Sequence, residues 1–394
     1  MAKMIYVTYN KVCVVYELCN LDGEARMEKD LGYRRVQRTG RGSFITSLPK
    51  DWVQKTGIGR GSEVAFISRD DSSLLLVPRK IMEQKKEVEK AKPKEYWVLV
   101  DSKEDPQSVC RKLRALYVVS AELIHIRFKG GGDFSKHKAA INNLARNMLL
   151  GSEIIDETSN EMTLQILITH PAFPVETAIR RMAILALLAN RDAILALKNI
   201  NQEGLIQSVI DGYNDVNRLN LYVVRQLKFG IERNLFKELG FRTPKEFLSY
   251  RVVTSNIKSI ADNAVNIIND VVALERMLEN QMLFLKEPID DELYTQILEF
   301  NSLAHKSFEE SLKALFQRSY ERADKIIAES ESLTTFENDL INLMFSKKLD
   351  PNVSSILRLI LDGSRRVVEY SRNVAEVTLH RTVEEKSNNA RAFQ

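Results

Sequence analysis

From Phe173 onward the sequence carries six long segments in which apolar residues recur with the 3.6-residue period of an amphipathic helix. They lie at about 173–199, 203–230, 244–279, 290–317, 319–345 and 352–383, and nothing in this half reads as strand. Gly240, Pro244, Pro288 and Pro351 fall at the breaks, where helix ends are expected. Six helices in one run predict an all-α body of two packed three-helix bundles. An internal repeat divides the body the same way. Ile260–Ile267 aligns with Val367–Val374 at an offset of 107, which also places Arg251 on Arg358 and Lys258 on Arg365. The bundles are expected at 173–279 and 288–385, with a short tail over 386–394.

Ahead of the helices the pattern changes twice. Residues 95–170 alternate strand and helix: strands at Tyr96–Val100, Leu123–Phe128, Glu153–Glu157 and Met162–Thr169, helices at Pro106–Ser120 and Ser135–Leu150. This is a small α/β domain of ferredoxin-like size. Residues 33–79 read as strand, turn, strand, short helix, strand, turn, strand. Thr39-Gly40-Arg41-Gly42 marks the first turn and Asp70-Asp71-Ser72-Ser73 the second, while Pro49 opens the short helix and Gly57 stops it. Four strands in so small a unit cannot bury themselves well, and dimerisation is the usual remedy. Residues 80–94 are a charged linker running to Pro93, and residues 1–32 an N-terminal extension that reads as dispensable. The fold class is multidomain α+β: a β-rich head, an α/β middle and tandem helical bundles.

Hydrophobic residues make up 44% and charged residues 28% of the chain, which suits packed cores and excludes a disordered protein. The longest apolar stretches, such as Met182–Ala189, are broken by charge well short of the roughly 20 residues a membrane span needs. Three cysteines (Cys13, Cys19, Cys110) form no disulfide framework and no Cys-x-x-Cys pair. Together these features point to a cytoplasmic protein with no membrane insertion.

The net charge of +4 is concentrated. Residues 31–95 hold 15 basic against 8 acidic residues, whereas residues 96–394 hold 38 against 40. A basic block on a near-neutral body is the footprint of a polyanion partner. Its core is Arg34, Arg35, Arg38 and Arg41, four arginines within eight residues, with Lys50 at the start of the short helix. A ribbon edged with arginines can lie along a DNA groove with guanidinium groups on phosphates or base edges. The same residues are equally compatible with solvated charges on an exposed hairpin.

Arg34–Trp52, followed by Gly57-Ile58-Gly59-Arg60-Gly61-Ser62-Glu63-Val64, resembles the AbrB/SpoVT swapped-hairpin DNA-binding family. The resemblance covers about residues 33–79. It implies an intertwined homodimer that presents basic strands to double-stranded DNA, with Arg34 and Arg41 at the family's basic positions. Where the family often places paired arginines in the helix after the proline, this chain has Val53 and Gln54, so contacts from that helix are not carried over. In the helical half, Ile210–Leu219, Tyr222–Leu227, Tyr250–Val253, Ile260–Ala264 and Val368–Glu376 resemble the PhoU domain, a three-helix unit that usually occurs twice. Glu153–Thr158 and Leu164-Gln165 resemble the region joining the two parts. The whole is similar to archaeal-type phosphate uptake regulators.

PhoU domains often hold metal clusters through a Glu/Asp-x-x-x-Asp motif, since carboxylates four residues apart share one helix face and can bridge a hard cation. Asp211 and Asp215 keep that spacing. Ahead of Asp262 and Glu369, however, the first acidic position is taken by Lys258 and Arg365, which are expected to pair with the acid four residues on. Asp211, Asp215, Asp262 and Glu369 are the candidate ligands for a divalent metal or iron, with intrahelical ion pairs the favoured reading and no cofactor expected. The histidines lack metal-binding spacing, Gly130-Gly131-Gly132-Asp133 lacks the Gly-Lys-Ser/Thr of a P-loop, and no nucleophile–base arrangement is legible, so no enzyme is expected. Two functions follow. One is a transcriptional regulator of phosphate uptake and homeostasis, with the head on promoter DNA and the helical body as sensor. The other is a signalling adaptor docking on phosphate-transporter components, with the head used mainly for dimerisation.

Overall fold

The computed structural model describes residues 33–39, 43–68, 73–82, 93–168, 173–198, 203–279 and 289–391. The chain forms two compact units, 1–97 and 98–394. The N-terminal extension and Arg41 lie outside the described residues, as does most of the charged linker.

In the first unit, β1 (Gln37–Thr39) and β2 (Ser43–Ile45) pair antiparallel with Arg38 opposite Phe44. Helix α1 (Lys50–Thr56) follows, with Pro49 as its N-cap rather than its first helical residue. Gly57 ends it at φ 65°, a left-handed conformation that glycine adopts without a Cβ clash, and the N–H groups of Gly57 and Ile58 donate to the carbonyls of Gln54 and Val53. Strands β3 (Val64–Ser68) and β4 (Leu74–Pro78) form a second hairpin with Phe66 opposite Leu76 and Ile67 opposite Leu75. Strand geometry was expected from Arg34, but β1 begins only at Gln37. Its ladder ends at Gln37 opposite Ile45, where β2 also ends, so residues 34–36 have no strand to pair with in the described hairpin.

The second unit opens with the α/β domain. Strands β5 (Glu95–Asp101), β6 (Leu123–Lys129), β7 (Ser152–Glu157) and β8 (Glu161–Ile166) form one sheet in the order β5-β6-β8-β7, with helices α2 (Pro106–Val118) and α3 (Ser135–Asn147) between the first three. The element order β-α-β-α-β-β thus differs from the β-α-β-β-α-β of ferredoxin-like folds. Asp105 caps α2 by accepting the N–H groups of Gln107 and Ser108, with Pro106 tolerated in the first turn. Val98, Val100, Leu113, Ile124, Ile126, Ile141, Met162 and Leu164 are buried in this domain.

Six helices follow: α4 (Val175–Leu195), α5 (Glu203–Arg233), α6 (Glu246–Glu279), α7 (Asp291–Gln317), α8 (Tyr320–Ser346) and α9 (Pro351–Arg391). The first three pack on one another, the last three do likewise, and α6 lies against α9 to join the two sets. One apolar core runs through both bundles. The helices cross closely at Gly363, whose carbonyl accepts a 2.6 Å hydrogen bond from Asn263 Nδ2. A tight turn joins α7 to α8: Arg318 closes α7 at φ 54° and Ser319 caps α8 through the Arg322 N–H. Helix α9 continues to Arg391, so most of the expected tail over 386–394 extends the last helix. No proline or glycine stands between Glu384 and Arg391 to stop it.

Candidate nucleic-acid interface and charged sites of the helical body

The head exposes both its charge and its apolar residues. Arg34 and Arg35 precede β1, Arg38 lies within it and Lys50 opens α1; all four are exposed. Arg34 Nη1 donates to the Tyr33 carbonyl at 2.9 Å. Among the described head residues no aliphatic or aromatic side chain apart from Pro78 is buried. Phe44 is 72% exposed, Phe66 65% and Leu74 54%, and Val36, Ile45, Ile67 and Leu75 are exposed as well. Adjacent strand residues face opposite ways, so Phe66 and Ile67 leave the second hairpin apolar on both faces. A two-stranded hairpin with no covered face is at best marginally stable in water.

In the helical body three buried polar arrangements stand out. Glu246, in the first turn of α6, is 3% exposed. Its Oε1 accepts the backbone N–H groups of Arg242 (2.6 Å) and Thr243 (3.2 Å). Its Oε2 meets Arg318 Nη2 at 3.2 Å and the buried guanidinium of Arg381, which also donates to the Leu315 carbonyl and lies over the Tyr250 ring. One carboxylate of the first bundle therefore holds two arginines of the second.

Arg225, on α5, is 4% exposed and is held by backbone carbonyls. Nη1 donates to the carbonyls of Tyr117 (2.7 Å) and Ala121 (2.8 Å), at the C-terminal end of α2 where the helix dipole is negative. Burial lowers its pKa, partly offset by Tyr117, whose ring lies against the guanidinium, and by the Glu122 carboxylate. This residue fastens the α/β domain to the first bundle.

The third arrangement lies between the bundles. Asn301 Nδ2 donates to Asn190 Oδ1 (2.8 Å) and Ser364 Oγ (3.0 Å), and His305 Nε2 lies 2.8 Å from the same Asn190 oxygen. Burial, seconded by the charge of Arg191, lowers the His305 pKa from 6.5 to about 4. The ring is thus neutral at pH 7 and donates from Nε2. Between pH 6.5 and 4 the unfolded chain binds a proton here and the folded chain does not, so this contribution to stability is complete above 6.5 and is lost as pH falls toward 4. At pH 5 the loss is on the order of 2 kcal/mol. Urea midpoints at pH 7 and 5 check it: His305→Asn should show a smaller difference between the two than the natural chain.

The candidate metal ligands are not brought together. Asp211 and Asp215 are exposed on α5, along a recess of about 500 Å³ shared with Asn143, Asn147 and Arg218, and Asp211 accepts from Gln207 Nε2 at 2.8 Å. Lys258 Nζ lies 2.7 Å from both carboxylate oxygens of Asp262. On α9, Arg365 Nη1 donates to Glu369. Among the described residues no three His, Cys, Asp or Glu side chains are placed to hold a metal ion. Three of the histidines are engaged elsewhere: His125 with Thr163, His137 with the Glu104 carbonyl, His305 as above. The glycine run Gly130–Gly132 joins β6 to α3, with Asp133 accepting the N–H and hydroxyl of Ser135. Sequence reasoning missed Glu246, Arg225 and Glu337, whose only local signal is a charged residue on an otherwise apolar helix face.

No described helix is long and apolar enough to cross a membrane. No curated protein matches the chain in sequence. Among solved structures, the chain is similar to PhoU from Pseudomonas aeruginosa, at 19% identity and a TM-score of 0.43 over 54% of this chain and 96% of that one. It is also similar to the phosphate transport system regulatory protein PhoU from Streptococcus pneumoniae, at 14% identity and a TM-score of 0.41 over 52% and 92%. Residues 37–84 match the family described as antidote-toxin recognition MazE, bacterial antitoxin, and residues 179–271 match the PhoU domain. The chain therefore joins a MazE/AbrB-type hairpin domain to a PhoU domain within a helical body.

Proposed function

We propose that this protein is a homodimeric, cytoplasmic, DNA-binding transcriptional regulator of phosphate homeostasis. The observation that carries the reading is the head. A MazE/AbrB-type hairpin domain exposes Arg34, Arg35, Arg38 and Lys50 and leaves its apolar strand residues unburied within its own chain. A second copy would cover Phe44, Phe66 and Leu74 and double the basic ribbon, to which Arg41 would add its charge. The PhoU domain on the same chain supports phosphate status as the input, relayed to the head by a change in the helical body.

Fluorescence anisotropy on promoter DNA from the gene's own neighbourhood tests this, against scrambled DNA and at two salt concentrations. A head that neutralises about 6–10 phosphates loses roughly three to five decades of affinity between about 50 and 200 mM salt. The triple substitution Arg34→Ala/Arg38→Ala/Arg41→Ala should weaken binding and lower the salt slope by about 1 per lost phosphate contact. Equal binding to both DNAs, unmoved by the triple substitution, would sink the regulator reading. The adaptor on phosphate-transporter components would then lead, and it predicts capture of those components by the triple variant as well.

A further inference from the structure

We infer that the second bundle carries its cation as a side chain: the Arg365 guanidinium takes the place of a metal ion and clasps α8 to α9. The PhoU resemblance leads one to expect a cation bridged by carboxylates on these helices. The residues do not fit one. Arg365 Nη2 and Nε lie 2.6 and 3.1 Å from Asp362 Oδ1, and Nη1 donates to Glu369, both on α9. The same Nε faces Glu337 Oε1 of α8 at 3.7 Å. One guanidinium thus sits among three carboxylates from two helices, and any cation arriving there would meet a fixed positive charge.

Glu337 explains why a cation is needed. Its side chain is 4% exposed, and a buried carboxylate requires a counter-charge or a proton. Burial raises its pKa, opposed by Arg365 and then Arg358, whose Nη1 lies 3.4 Å away. Arg365 therefore neutralises a charge on α8 while anchored by two acids of its own helix. The first bundle repeats the device in a smaller form: Lys258, at the position equivalent to Arg365, holds Asp262. A recess of about 170 Å³ beside the clasp is walled by Phe300, Leu333 and Val368, and Arg372 adds a second cation to its rim. Arg358 and Arg366, which also meet Glu337 and Asp362, keep positive charge around these carboxylates, so the place stays closed to a metal ion. The inference stands independently of DNA binding.

Thermal unfolding of the full chain, with EDTA, with millimolar Mn²⁺ and with matched NaCl, tests it together with calorimetric titration of Mn²⁺. The natural chain should melt at the same temperature in EDTA and in Mn²⁺. Arg365→Ala should melt several degrees lower than the natural chain, and equally so in EDTA, Mn²⁺ and NaCl, since Arg358 and Arg366 stay beside the carboxylates. Glu337→Gln should cost less in the Arg365→Ala background than in the natural chain, because the two charges are coupled, and Arg365→Lys, which keeps a tethered cation, should melt close to the natural chain. A natural chain that EDTA destabilises or that titrates with Mn²⁺, or an Arg365→Ala variant that melts with the natural chain, would overturn the inference. If Arg365→Ala does not fold, the EDTA comparison on the natural chain and on Arg365→Lys still decides it.

Discussion

Glu246→Ala is expected to lower the stability of the helical body by about 3–5 kcal/mol, the cost of breaking a buried ion pair by deleting one partner. The guanidinium of Arg381, with a side chain 5% exposed, would lose its carboxylate and remain buried, and Arg318 would lose its contact to the first bundle. The N–H groups of Arg242 and Thr243, which Glu246 Oε1 accepts ahead of α6, would lose their acceptor too. Glu246→Gln separates the two losses. It keeps an oxygen for the backbone donors but not the charge, so it should fall between the natural chain and alanine. At roughly 2–4 °C per kcal/mol for a unit of this size, the alanine variant should melt about 6–20 °C lower. A fall within about 1 kcal/mol, typical of an exposed pair, would show that the cluster is open to water.

Arg225→Ala is expected to cost about 2–4 kcal/mol by a different route. It removes a buried charge, which alone would help, but orphans the Tyr117 and Ala121 carbonyls at the end of α2 and empties the space over the Tyr117 ring. The effect should be local. Hydrogen exchange should quicken over residues 117–122 and along the facing stretch of α5, while the core between α6 and α9 keeps its protection. Arg225→Met fills the space without the donors, so it measures the hydrogen bonds alone. If Met and Ala cost the same, the hydrogen bonds rather than packing fasten the α/β domain to the bundle.

What could be read in advance followed from short-range physics. The six helices were legible because their apolar residues repeat every 3.6 positions and because Gly240, Pro244, Pro288 and Pro351 fall at the breaks between them. The Lys258–Asp262 and Arg365–Glu369 pairs were legible because residues four apart on a helix must be neighbours. Both hairpins of the head were legible from turn residues between alternating runs. The start of β1 was not. Arg34–Val36 have strand-like composition, but ladder hydrogen bonds require a partner strand, and β2 ends at Ile45 opposite Gln37.

The chain by itself thus determined which segments are helix, which are hairpin, and where the excess positive charge lies, because propensity, periodicity and charge are properties of a few consecutive residues. Only the tertiary structure decided which charges are buried and what they hold. Arg225 reaches carbonyls more than a hundred positions away, Glu246 binds arginines of the other bundle, and Arg365 finds a third carboxylate on a neighbouring helix. Such partners are chosen by the crossing of helices, and a buried charge is tolerated only where that crossing supplies its counterpart.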